Sequence, residues 1–293
     1  MNSSVAAAHR IWQDHTMRFA AALDRDDPAG DAAAVPGDRN PAAAVLHAKV
    51  PGAKTPGTPG PARDPAAGAA VLAFCGTELR LLADGALWWP EAATLVVADL
   101  HFEKASSLAR RGSLLPPYDT AVTLDRLDRL VAALRPARVI SLGDAFHDPF
   151  ALERIAGEAR QRIAALQAGR DWVWVAGNHD RALRGAIGGT VVEELAIGPL
   201  LFRHEPAAEA EPGEIAGHLH PAARVLLRPK SVRRRCFATD GRRLILPAFG
   251  ALTGGLNLLD RAYRGLFDPA GLVAHLVGDG RVYSFPRRHL TPD

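Results

Sequence analysis

Three short, mainly apolar runs, residues 94–98, 138–142 and 172–176, constrain the fold more than any other feature of the chain. The first is a continuous apolar run rather than an alternating one, the pattern of a strand buried on both faces, and the other two read as the next strands. Each run stops at a polar turn: Asp99-Leu100-His101, Gly143-Asp144 and Gly177-Asn178-His179-Asp180. Helical spacing lies between them. After Asp119 or Thr120 as a cap, Val122, Leu124, Leu127, Leu130, Val131 and Leu134 share a face, and Pro136 ends the helix. Pro149 opens a second helix with Leu152, Ile155, Ile163 and Leu166 on one face, closed by Gly169. Repeated strand and helix, with a polar turn at each strand's carboxyl end, predict an α/β sheet with its site along that edge.

The flanking segments read differently. Residues 71–74, 78–82 and 86–89 form a small β-meander, and 102–111 are partly helical. Beyond His179, strands are expected at 190–195, 200–203 and 223–227. Two hairpins follow, 234–238 with 242–246 turning on Asp240-Gly241, and 273–277 with 281–285 turning near Asp279-Gly280. Residues 1–68 stand apart. A short helix at about 5–23 runs into an Ala/Pro/Gly-rich stretch holding eight of the 22 prolines. Such a stretch buries too little apolar surface to offset chain entropy, so a disordered extension followed by one domain, 69–293, is expected.

Composition narrows the class. With 48% hydrophobic residues in 293, the chain can build a core. The net charge is only +3, but the pI near 9.1 and the clustered arginines leave room for a phosphate-bearing partner. Two cysteines, Cys75 and Cys236, exclude a disulfide framework and a cysteine-rich zinc site, and read as buried thiols in a reducing compartment. No run approaches the ~20 apolar residues of a membrane span. The N-terminus also lacks the apolar centre and cleavage site of a secretory signal, so a cytoplasmic protein is expected.

Adding His204 and Gly217-His218-Leu219-His220 to the strand-end turns gives a donor set of carboxylate, amide and imidazole. Such a set suits manganese, iron or zinc rather than a soft ion. Asp99 and His101 can reach one metal, and Asp144 can bridge to a second. Asn178, His204 and His218 complete the second site, while His220 returns to the first. A bridging carboxylate holds two cations about 3.5–4 Å apart, where a shared water loses a proton near neutral pH and attacks phosphorus in line. His179 is then free to protonate the leaving oxygen, with Asp180 fixing its tautomer. His147 and Arg181 are expected to contact substrate, and Asp148 points to the same region. Arg233, Arg234 and Arg235, in a basic stretch after the last metal motif, can bind nucleic-acid backbone. The plainer reading of that stretch is a hairpin edge kept soluble by charge.

This ordered series resembles the calcineurin-like metallophosphoesterase superfamily over residues 69–285. The contexts at 98–104, 142–148, 176–181, 202–206, 216–221 and 246–255 look like its DNA-ligase-associated branch. The resemblance implies a four-layer α/β/β/α sandwich and two divalent metal ions, most often manganese. It also implies phosphodiester hydrolysis on DNA, single-stranded or damaged, in bacterial repair. An ATP-dependent DNA ligase, a helicase and a metallo-β-lactamase-type second nuclease are the implied partners. The N-terminal extension is not part of that family's core. Two other readings stand beside it: a phosphoesterase for nucleotides or cyclic dinucleotides, and a metal-stabilised adaptor without chemistry of its own.

Overall fold

The computed structural model describes residues 64–113, 115–177, 186–209, 211–227 and 230–293. Its first sheet takes seven strands in chain order: β1 (Ala70–Phe74), β2 (Thr77–Leu81), β3 (Leu87–Trp89), β4 (Thr94–Ala98), β5 (Arg138–Leu142), β6 (Asp171–Val175) and β7 (Thr190–Val192). The meander half is antiparallel, and β4 to β7 run parallel. Parallel neighbours need crossovers. α1 (Lys104–Ala109) and α2 (Asp119–Leu134) join β4 to β5, and α3 (Ala151–Arg154) and α4 (Gly157–Gln167) join β5 to β6. Every residue of β4 is buried, as its unbroken apolar run requires. Leu124, Leu127 and Leu130 of α2 and Ile163 and Leu166 of α4 pack on Leu95, Val97, Val139 and Trp172.

The second sheet has ten strands: β8 (Glu194–Ile197), β9 (Leu200–Arg203), β10 (Glu214–Ala216), β11 (Pro221–Leu227), β12 (Lys230–Thr239), β13 (Arg243–Ile245), β14 (Leu256–Asn257), β15 (Val273–Gly278), β16 (Arg281–Pro286) and β17 (Leu290–Thr291). Phe202, Ile215, Phe237 and Leu244 from its inner face meet Val96, Ile140, Leu142 and Val173 of the first sheet. A third cluster covers its outer face, where Leu258, Tyr263, Phe267 and Leu272 pack on Leu219, Val225 and Ala238. The expected sandwich of helices and two facing sheets is therefore present. Its fourth layer is built around a 3-10 turn, Arg261–Tyr263, because Asp260, Gly265, Pro269 and Gly271 interrupt any longer helix. Across the inner register, Glu214 of β10 and Arg243 of β13 form a fully buried ion pair at 2.8 Å.

Two expected elements are divided. The helix expected after Pro149 breaks at Ile155, whose backbone leaves the helical region (φ −59, ψ 128), and restarts at Gly157. The break frees Arg154 to hold α3 against α1 through Asp148 at 2.6 Å and Ser106 at 3.0 Å. The strand expected over 190–195 changes sheets at Glu193, so β7 ends the first sheet and β8 begins the second. Both hairpins turn where the sequence indicates. Asp279 and Gly280 have φ of 51 and 73, the paired positive angles that a tight two-residue turn demands. Among the described residues no helix is long and apolar enough to cross a membrane. Residues 1–63, with the helix expected at 5–23 and most of the extension, lie outside the described residues.

Candidate metal centre

Beyond their last strand residues, β4 and β5 continue side by side. Asp99 donates its N–H to Gly143 O at 3.3 Å, His101 to Asp144 O at 3.0 Å, and Phe102 to Ala145 O at 2.9 Å. Yet Asp99, His101 and Asp144 have φ of 52, 44 and 45, left-handed backbone that non-glycine residues seldom adopt. Each such residue costs on the order of 1 kcal/mol or more. The turns take these side chains out of strand alternation and converge them beyond the sheet edge. A comparable device follows β10. Leu219 donates its N–H to Gly217 O at 2.8 Å across His218, whose φ is 70. That is a γ-turn in its rarer, more strained form. Tyr263, buried beneath it, donates its hydroxyl to Leu219 O at 2.8 Å, and burial holds that phenol well above its ordinary pKa.

Six side chains are thereby gathered into two groups. In the first, the Nε2 atoms of His101 and His220 lie 3.2 Å apart, and His220 Nε2 lies 3.4 Å from Asp99. In the second, His204 Nε2 stands 3.0 Å from His218 Nδ1 and 3.6 Å from Asp144. Within each group the donor atoms all lie within 4.8 Å of one another. The groups adjoin: His204 Nδ1 is 3.9 Å from Asp99 Oδ1, and the His218 N–H faces both Asp99 oxygens at 3.2 and 3.0 Å. His204 Nδ1 also donates to Leu142 O at 3.0 Å, which leaves Nε2 of the neutral ring as a lone pair aimed into the second group.

These residues fit a pair of divalent cations. Metal–nitrogen bonds of about 2.0–2.1 Å place two nitrogens of one coordination sphere roughly 3.0–3.4 Å apart, the spacing seen in both groups. Asp99 is fully buried among a main-chain N–H and imidazole nitrogens, a setting in which an ionised carboxylate calls for a cation. The motif glycines are explained by the same crowding. A Cβ on Gly143 would stand 2.2 Å from His204 Nδ1, and one on Gly217 would stand 2.7 Å from Asp99 Oδ2.

One support of the site, Arg126, gives no signal in the sequence, although the segment it holds lies in the 246–255 context. The segment 248–250 backs Asp99, with Phe249 N–H on Ala98 O at 2.8 Å and Gly250 N–H on Asp99 O at 3.2 Å. Arg126 of α2 grips it from behind, donating to Phe249 O at 2.6 Å and to Asp84 O at 2.5 Å. Burial, then the neighbouring Arg235, lower the Arg126 pKa to about 10. In the sequence Arg126 is one more polar position on an amphipathic helix. Arg235, expected at DNA, is instead held by Ala248 O and Asp84 O at 3.1 and 2.8 Å. Arg233 is tied to Asp293 at 2.9 Å and to Gly255 O at 2.6 Å, whereas Arg234 is exposed. The three arginines do not form one surface.

The His147 ring stands edge-on to His101 with centroids 5.5 Å apart, so it belongs to the site's rim. Asp148 turns away to Arg154. Burial pushes its carboxyl up, but hydrogen bonds from Arg154, Ser107 and the Phe150 amide outweigh that and leave it at about 2. Lys104 is buried, and burial, opposed by Asp119, brings its ammonium down to about 8. Asn178, His179, Asp180 and Arg181 lie outside the described residues.

A two-sheet sandwich with paired N/O donor groups beyond the carboxyl ends of its parallel strands is the architecture of a metal-dependent hydrolase. The model of the calcineurin-like phosphoesterase family matches residues 93–233. Among solved structures, the nuclease MPE of Pseudomonas putida is 30% identical, covers 74% of this chain and 100% of its own, and superposes with a TM-score of 0.56. The chain belongs to the calcineurin-like phosphoesterase family. The Escherichia coli phosphoesterase Yfce matches at 15% identity over 66% of this chain and 98% of its own, with a TM-score of 0.34. No curated protein gives a significant match.

Proposed function

We propose that the chain is a two-metal phosphodiesterase that cleaves DNA. The observation that carries this reading is the adjoining pair of donor groups, in a chain 30% identical to a nuclease over that nuclease's full length. Two divalent cations, with manganese the first choice and iron or zinc the alternatives, would supply Lewis-acid activation of water and of the phosphate. Asp99, His101 and His220 would hold one ion, and Asp144, Asn178, His204 and His218 the other, with Asp144 reaching both. What supports the bridge is that the Asp144 carbonyl takes the His101 amide while its carboxylate stands beside His204. His147, partly exposed beside His101, can donate to a phosphate oxygen. By the family resemblance, His179 protonates the leaving oxygen, Asp180 orients its ring and Arg181 contacts phosphate. Of the three arginines on β12, Arg234 faces solvent and remains a backbone contact.

The same reading takes 69–293 as the catalytic domain and 1–68 as an extension. It places the protein in the cytoplasm beside a DNA ligase, a helicase and a second nuclease. Manganese-dependent hydrolysis of a bis-aryl phosphodiester tests the chemistry: Asp144→Ala should reduce turnover to background, and hydrolysis of monoesters alone would overturn the assignment. Circular single-stranded DNA set against a panel of nucleotides and cyclic dinucleotides separates a nuclease from a small-molecule esterase.

A further inference from the structure

Among the described residues seven large apolar side chains are exposed, and four of them, Leu115, Tyr118, Val122 and Phe150, lie within four residues of the starts of α2 and α3. The two aromatic rings are the most open of the four, Tyr118 at 69% and Phe150 at 57%. Their positions are fixed by their neighbours. Tyr118 precedes α2, whose first residues are pinned to the start of α1: the Glu103 N–H donates to Thr120 Oγ1 at 2.9 Å and the Ala105 N–H to Asp119 at 3.0 Å. Phe150 precedes α3, which Arg154 fastens to Ser106 in the middle of α1.

α1 in turn begins three residues after His101, and Phe150 stands three residues after His147, the histidine edge-on to His101. Both rings therefore border the helix that leaves the first donor group. Arg110 and Arg111 lie exposed at the other end of α1, about 9 Å along a six-residue helix.

Exposed aromatic faces together with exposed arginines suit unpaired nucleotides, whose bases stack on the rings while the cations take the phosphates. A duplex hides its base faces and could use only the arginines. We propose that Tyr118 and Phe150 are base-stacking platforms which, with Arg110 and Arg111, form a track leading a single nucleic-acid strand past the His101 edge of the metal centre. The proposal rests on the reading of the chain as a DNA phosphodiesterase. It adds residues outside the donor groups that choose unpaired over paired substrate.

The test uses the full chain with manganese and compares Phe150→Ala, Tyr118→Ala and the double variant with the unaltered protein. Three readouts are taken: affinity for a labelled oligothymidylate, affinity for a duplex of equal length, and turnover of a bis-aryl phosphodiester. Each single variant should weaken oligothymidylate binding roughly tenfold, and the double variant more, with duplex affinity and bis-aryl turnover unchanged. Phe150→Tyr and Tyr118→Phe, which keep the ring, should retain binding. Unchanged oligothymidylate affinity in the double variant overturns the track. So does a loss of self-association with DNA binding intact, which would make the patch a protein contact. Failure of the phosphodiesterase reading looks different: the unaltered protein would then cleave no diester, whatever the two rings do to binding.

Discussion

At the scale of single residues, the clearest consequence of burial away from the metal centre is at His275. It sits on β15 opposite Ser284, with Nδ1 2.7 Å from the serine hydroxyl. Burial lowers its pKa from 6.5 to about 4. The sign follows from linkage. Above pH 6.5 both folded and unfolded chains hold the ring neutral, and its contribution is fully present. As pH falls from 6.5 towards 4, the unfolded chain gains a proton that the folded one resists, so stability drops, by about 3 kcal/mol once pH is below both values. Urea unfolding at pH 7 and pH 4.5 should show most of this loss, and His275→Leu should remove it. Parallel pH profiles for the two proteins would show that His275 is protonated without penalty. The sequence gives no warning of this residue, because a lone histidine in a strand has no motif around it.

The element that most shapes the site is the γ-turn at 217–219. It carries His218 into one group and His220 into the other, and it is strained, so something must hold it. Tyr263 Oη on Leu219 O is one contact that does so, beside the His218 N–H on Asp99. Tyr263→Phe keeps the ring and strands a buried carbonyl, a change worth about 1–3 kcal/mol. We expect manganese affinity, read by calorimetric titration of the metal-free protein, to fall by roughly tenfold or more, with the far-ultraviolet spectrum unchanged. Equal affinity in the variant would mean that the turn holds itself. The ends of β4 and β5 were legible in the sequence, because a mainly apolar run followed by Asp or Gly-Asp states both burial and exit. The γ-turn and its tyrosine were not, since left-handed backbone at Asp99, His101, Asp144, His218 and His220 leaves no trace in residue type. The division of the α3–α4 segment was hidden too, since neither Ile155 nor Ala156, the two extended residues at the break, is a helix-breaking type.

For the whole molecule, the two donor groups, buried except for the half-buried His218, tie the first sheet to the second. Asp99, His101 and Asp144 leave β4 and β5, while His204, His218 and His220 follow β9 and β10. A ligand bound at a hundred times its dissociation constant adds about 2.7 kcal/mol to the folded state. In a domain of this size that corresponds to roughly 5–10 °C in melting temperature. Chelation should lower the midpoint by that amount and manganese should restore it, with the sheets intact in between. A midpoint indifferent to chelator would count against metal binding at these residues.

The sequence by itself determined the α/β class, the order of the strand-end turns and the residue types that can ligate a metal. Those follow from local burial patterns and from donor chemistry. Only the tertiary structure decided how closely those donors approach, that Gly143 and Gly217 are demanded by a histidine ring and a carboxylate rather than by a turn alone, and that Arg126 and Arg235 brace the site from behind. Each of these depends on close approach between residues far apart in the chain, a distance that no spacing along the chain records.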